Sequence, residues 1–395
     1  MSGPGEVRER EGDTVRASVR RGSAAVVLMA LALPALYLPS AWAQVASLEV
    51  VAEGLDNPRG IALGGGGAIF VAEAGAGGED CRRIPDFGRA CFGMTASVTK
   101  IRADGSQKTA VELPSGAGRD GSFATGASDV AVEDGTFYIA MGGAPPNAAD
   151  VFGPDAKWFN DLVRAKPLER LAELAKFEAK HNPAGDVVES NPYSVTRIEG
   201  GTLVADAAAN ALLFVPDEGR PQVVATLPTQ DLVAPDGVTI PAHAVPNTVT
   251  VGPDGAYYVG QLTGYPFTPG ASRVWRIAAD SRNVECDASA TSGDCTLYAD
   301  GLTAIIDIAF GPDDELYVLE IFKNGLLAAE SPDATEEDLA GALLRMDGPT
   351  TFTEIASEGL VAPAGVAISA EGRIFVTNFG VFPAQGQVVE VVGAA

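Results

Sequence analysis

Six side chains recur at one register of this sequence: Glu73, Met141, Asp206, Gln261, Glu320 and Asn378. Each stands two residues after the end of a repeated phrase, five are polar acceptors, and three are carboxylates. A second set, Arg59, Asp129, Asn191, Asn247 and Asp307, lies where the same phrases begin. Carboxylates grouped with amide oxygens make a hard-oxygen site suited to Ca²⁺. We expect Glu73, Asp307 and Glu320 as metal ligands, and Arg59, Asp129, Asp206, Asn247, Gln261 and Asn378 as contacts to a bound molecule. A Ca²⁺ or Mg²⁺ ion there would polarise a carbonyl or lactone, with Glu73 or Glu320 as general base. A plainer reading competes. Strand ends are commonly polar, Asn57-Pro58 and Asn191-Pro192 are ordinary turn chemistry, and Arg59 suits a structural clamp. Other chemistries find little support. The only histidines are His181 and His243, and no serine sits in a G-x-S-x-G context, which argues against a hydrolase triad. The run Gly75-Ala76-Gly77-Gly78 opens no helix, so it reads as a loop rather than a phosphate cradle.

The elements that carry these residues are written in the repeat itself. An apolar stretch, a tight Gly/Asp turn and a second apolar stretch recur as GGGGAIFV (64–71), VEDGTFYI (132–139), RIEGGTLV (197–204), GPDGAYYV (252–259), GPDDELYV (311–318) and SAEGRIFV (369–376). The phrases end at Val71, Ile139, Val204, Val259, Val318 and Val376, in steps of 68, 65, 55, 59 and 58 residues. Strand–turn–strand units at this spacing predict an all-β chain, a six-bladed β-propeller over 44–395. Third strands are expected at 97–104, 211–219, 272–280, 341–348 and 386–392. The last blade lacks a fourth strand, and LEVVAEGL (48–55) matches the fourth-strand refrains TLYADGL (296–302) and TEIASEGL (353–360). The N-terminal segment is therefore expected to close the ring against QVVEVV. Blade two departs from the pattern. Residues 167–180 (PLERLAELAKFEAK) place Leu168, Leu171, Ala172, Ala175 and Ala179 on one face, which predicts an amphipathic helical insert with Pro167 in its first turn.

Composition narrows the partners. A formal charge of −25 disfavours nucleic acid and anionic lipid. Residues 1–43 read as an export signal: Arg16, Arg20 and Arg21 precede the apolar run Ala24 to Leu38, and Ala41-Trp42-Ala43 supplies a cleavage pattern. An uncleaved anchor is the alternative. The four cysteines fit export, and their spacing favours the local pairs Cys81–Cys91 and Cys286–Cys295 over a metal site.

EGLDNPRGIAL (53–63), IFVAEAGAGGEDC (69–81), CFGMTASVTKI (91–101), HNP (181–183) with NPYSV (191–195), LVADAAANALLFV (203–215) and VAPAGVAISAEGRIFVTNFG (361–380) together resemble the ScyD/ScyE family of exported bacterial proteins, across essentially the whole mature chain. That resemblance implies an exported NHL-like propeller. The founding members are associated with gene clusters for the sunscreen scytonemin, and the family supplies no catalytic residues to carry over; a role in scytonemin assembly is not implied here. VADAAANALLFV also looks like the phrase shared by NHL repeats and the virginiamycin B lyase type of propeller, which implies that Asp206 and Asn210 brace the blade turn. The gluconolactonase family is similar in architecture, but its metal-binding Glu on the first inner strand is matched here by Arg59-Gly60, against a lactonase activity. The sum of these readings is a secreted or periplasmic protein, a monomer off the membrane once its signal is cleaved. It binds a small molecule or an exported protein at the central channel. A metal-assisted hydrolase or lyase, and a purely structural surface scaffold, are the alternatives.

Overall fold

The second strand of each phrase is an unbroken apolar run because it is buried on both faces. In the computed structural model, which describes residues 46–84, 88–145 and 147–393, these strands are Ala68–Glu73, Thr136–Met141, Gly201–Asp206, Tyr257–Gln261, Leu316–Glu320 and Ile374–Asn378. Each pairs antiparallel with the strand before it: Pro58–Gly64, Ala127–Glu133, Pro192–Ile198, Pro246–Val251, Ile305–Phe310 and Gly365–Ile368. The turns are short. Glu133 pairs with Thr136 across Asp134-Gly135, whose φ angles of 49° and 78° match the primed turn that suits the right-handed twist of a hairpin. Third and fourth strands complete six sheets, and the six inner strands contact one another in a closed cycle. The chain is a six-bladed β-propeller.

Closure occurs where the refrain placed it. Ser47–Leu55 is the outer strand of blade six, in antiparallel register with Gly386–Val392 from Ser47↔Val392 to Leu55↔Gly386. Leu55 is 2% exposed and packs among Ile61, Ile69, Val71, Ile101, Phe375 and Val388, sealing blade six against blade one. The putting-together of first and last strands covers an edge that would otherwise be free to pair with another chain.

Both cysteine pairs are disulfide-bonded. Cys81 lies directly opposite Cys91, where the 14-residue third strand of blade one, Gly88–Ile101, runs on past its sheet to pair with Asp80–Ile84. The second bridge joins two blades. Val284–Glu285 adds in parallel to Gln222–Thr226, the outer strand of blade three, and Cys286 then ties it to Cys295 at the start of Cys295–Leu302, the outer strand of blade four.

Blade two corrects one expectation. Residues 167–180 are not one helix: Glu169–Glu173 is the fourth strand of the blade, and the helix is only Leu174–His181. The third strand, Asp161–Ala165, offers an open edge, and pairing from Glu169↔Arg164 to Glu173↔Asp161 satisfies it. Arg170 Nε reaches Asp161 Oδ2 at 2.5 Å across that pair. The helical spacing of Leu168, Leu171 and Ala172 was overridden by this tertiary pairing. The proposed export segment lies outside the described residues. Among the described residues no helix is long and apolar enough to cross a membrane.

Candidate functional site

An inner strand of a propeller is a sheet edge facing the channel, so its N–H groups need partners. Side chains at one register supply them. Asp129, Ser194, Thr248 and Asp307 each follow a bulge and stand opposite Ala140, Ala205, Gly260 and Leu319 of their own second strands. Asp129 Oδ1 accepts from Val130 N at 2.7 Å, and Oδ2 accepts from Ser194 Oγ (2.9 Å) and Val195 N (2.8 Å) in blade three. Ser194 Oγ accepts from Val249 N at 3.3 Å in blade four. Thr248 Oγ1 donates to Asp307 Oδ1 at 2.6 Å, and Asp307 Oδ2 accepts from Val366 N of blade six at 2.8 Å. The belt stitches neighbouring blades together. Blades one and six place Gly60 and Gly365 at this level; a Cβ on Gly60 would lie 1.9 Å from Asp129 Oδ1.

Asp129 and Asp307 belong to blades two and five, which face each other in a ring of six. Both keep part of their surface open while protein surrounds them, as lining a narrow channel requires. Burial pushes the Asp129 carboxyl up to about 7, and the charge of Asp307 adds to the effect. Burial raises Asp307 to about 6, against the hydrogen bonds from Thr248, Val366 and Ile308. One hydrophobic core cluster spans several blades, joining buried Ile306 and Phe322 of blade five with the partly buried Tyr193 of blade three, Leu262 of blade four, and Val381 and Phe382 of blade six. Arg59 of blade one is half-buried, and its Nη2 donates to Ala124 O at 3.2 Å.

The strand-end set is arranged differently. Glu73, Met141, Asp206, Gln261, Glu320 and Asn378 are all buried. Four of them turn back to hold the loop that leads into their own blade. Glu73 Oε2 accepts from Asp56 N (2.7 Å), Asp206 Oδ1 from Asn191 N (2.7 Å), Glu320 Oε1 from Thr303 N (2.6 Å) and Asn378 Oδ1 from Val361 N (2.7 Å). Gln261 is instead fixed by Trp275 Nε1 at 2.6 Å and by Thr263. Burial raises Glu320 to about 7, and raises Glu73 and Asp206 as well. Asp206 and Asn210 do brace the blade turn: Asp206 Oδ1 also accepts from Ala209 N, and Asn210 Oδ1 accepts from Val245 N.

The expected metal trio does not assemble. Glu73 lines a polar cleft of about 350 Å³ between the outer edge of blade six and blade one, with Ser97, Thr99 and Thr109. Glu320 holds its own lead-in loop in blade five, and Asp307 sits in the belt. Among the described residues no three His, Cys, Asp or Glu side chains group as a metal site needs. The physical reason is the lead-in loop: it presents an N–H to each strand end, and the side chain folds back to accept it. Asn247 Nδ2 donates to Ile305 O at 2.7 Å, while its buried Oδ1 has no partner; Asn191 Oδ1 accepts from Gly143 N at 2.6 Å. Ser194 and Thr248 were not singled out from sequence as site residues, although they share the register of Asp129 and Asp307.

Comparison with known proteins adds the fold and nothing finer. No family model matches the sequence, and no curated protein matches it. Among solved structures, a protein of unknown function from Bacteroides thetaiotaomicron is similar at TM-score 0.50 and 9% identity, covering 88% of this chain and 76% of that one. A catalytically inactive virginiamycin B lyase from Staphylococcus aureus, with quinupristin, gives TM-score 0.46 at 14% identity over 88% of this chain and 99% of that one. A gluconolactonase from Xanthomonas campestris gives 0.48 at 11%, over 88% and 90%. At such identities and TM-scores the likenesses carry no argument beyond the fold already described.

Proposed function

We propose that this chain is an exported propeller of the ScyD/ScyE type that binds a small amphipathic cation at the channel mouth. The observation that carries the reading is the pair Asp129 and Asp307, in opposite blades of the belt and near enough that the charge of Asp307 acts on Asp129. Each carboxylate accepts hydrogen bonds from neighbouring blades yet stays partly open. A protonated amine is the complement to two carboxylates in a low-dielectric channel. An aromatic or aliphatic body would rest on partly buried side chains of adjoining blades such as Tyr193, Leu262 and Phe382, giving the mixed lining of a small-molecule site. Export to an oxidising compartment, secreted or periplasmic, is supported by the segment 1–43 and the two disulfides. The ScyD/ScyE assignment rests on the phrases from 53–63 to 361–380, and we take the working unit to be the monomer.

A matched set of indoles separates charge from shape. Tryptamine, tryptophol and indole-3-acetate share one apolar body and differ in the charge of the tail. Saturation-transfer NMR is expected to detect tryptamine alone, with signal lost in the Asp129→Asn/Asp307→Asn double variant. Equal binding of indole-3-acetate, or tryptamine binding that survives in the variant, would overturn the assignment.

A further inference from the structure

Outside the channel, three buried oxygens without partners belong to Glu178, Asn182 and Asp186, where the blade-two helix ends and the chain leaves it. Glu178, in the last turn of Leu174–His181, is 2% exposed, and its Oε1 accepts no hydrogen bond. Asn182 caps that helix in the left-handed region, with φ 35° and ψ 65°. Its Nδ2 donates to Asp186 O at 2.8 Å, while its buried Oδ1 is unpartnered. Asp186 is held from the far side. Asn210 Nδ2 donates to its Oδ2 at 2.7 Å, and His243 Nδ1 lies 3.1 Å from the same atom, leaving buried Oδ1 unpartnered.

A buried acceptor with no donor costs about 1–3 kcal/mol, more when it is charged, so three together need an explanation. The groups around Glu178 make the cost worse. Burial and the charges of Asp206 and Asp186 hold its carboxyl up at about 7. No Lys or Arg among the described residues makes an ion pair with Glu178 or Asp186, although Lys180 and His181 stand in the same last turn as Glu178; His243 lies on the opposite oxygen of Asp186. Asp206 is committed to Ser190, Asn191 and Ala209. The helix C-terminus adds the negative end of its dipole and its free carbonyls. All three unpartnered atoms are oxygens, two of them on carboxylates.

We infer that Glu178, Asn182 and Asp186 form a binding site for one Ca²⁺ ion, which ties the blade-two insert to blade three. Two carboxylates and an amide oxygen are a partial hard-oxygen set, and water completes the six to eight ligands that Ca²⁺ takes. Mg²⁺ demands a stricter octahedron at shorter range and fits a set drawn from a helix cap and a loop less well. The site is separate from the channel mouth, so the two assignments stand or fall independently.

Isothermal titration of Ca²⁺ into the EDTA-stripped protein tests it. One site per chain is expected, weaker for Mg²⁺, with Kd at least tenfold higher in Glu178→Gln/Asp186→Asn. A second measurement guards against a variant that simply misfolds. Without Ca²⁺, Glu178→Gln is expected to melt above the wild type, since a buried charge is removed; with saturating Ca²⁺ the order reverses. If Glu178 is instead held protonated against Asp186, Ca²⁺ neither binds nor shifts the melting point. That result, or Ca²⁺ binding that is unchanged in the double variant, would overturn the inference.

Discussion

Deleting residues 44–55 is expected to abolish the monomeric propeller. The segment supplies the whole fourth strand of blade six, paired to Gly386–Val392 from end to end. Its loss would uncover a strand reading GQVVEVV, in which Val388 and Val389 are buried and which would then template pairing with another chain. It would also remove Leu55 from the seam between blades six and one. The single change Leu55→Ala should cost about 3 kcal/mol by cavity formation alone. Size-exclusion chromatography and thermal unfolding check this: the truncated chain should elute as aggregate, and a peptide covering 44–55 added in trans should restore a cooperative melt. A truncated monomer that melts as the full chain does would show that closure is not what holds the ring.

Acidification from pH 8 to pH 5 is expected to raise the melting point, the reverse of the usual behaviour of paired carboxylates. Asp129, Asp307 and Glu320 have folded-state values of about 7, 6 and 7, each raised chiefly by burial. A carboxyl raised in the folded state binds a proton there that the unfolded chain has already released. Stability therefore climbs as pH falls through about 7 toward the ordinary carboxylate range near 4, and is lost as pH rises again. Self-repulsion from a formal charge of −25 acts in the same direction. Calorimetry should show a gain of about 5 °C. Asp129→Asn should shrink that gain and, by removing its charge at high pH, leave the protein more stable than wild type at pH 8. A flat profile, or one that falls toward acid, would mean that these carboxyls are hydrated and ordinary.

Much of the fold was legible because it is written locally and repeated. The Gly/Asp turn joins strands adjacent in sequence, the second-strand phrase recurs in every repeat and the fourth-strand refrain in several blades so that their equivalence can be read directly, and both disulfides close short loops. The export reading of 1–43 lies outside the described residues. What sequence could not show was the direction in which side chains turn. Glu73 and Glu320 sit at the predicted register, but each folds back onto a loop N–H seventeen residues earlier, Asp56 and Thr303. The pattern in 167–180 was read as a helix because Leu171 and Ala172 satisfy helical spacing; the free edge of Asp161–Ala165 decided otherwise. The Glu178–Asp186 cluster left no local signature. His243, 57 residues from Asp186 along the chain, reaches it only through the loop that leads into blade four.

The central claim is that the two channel carboxylates bind a cationic ligand, and their own titration gives the most direct test. Tryptamine stays protonated at both pH 8 and pH 5, since its amine titrates near the lysine value of about 10, whereas Asp129 and Asp307 change charge between them. Isothermal titration at the two pH values should give a Kd at least tenfold weaker at pH 5 in the wild type, and no pH dependence in Asp129→Asn/Asp307→Asn. Equal affinity at both pH values in the wild type, or a pH effect that persists in the double variant, would contradict the account.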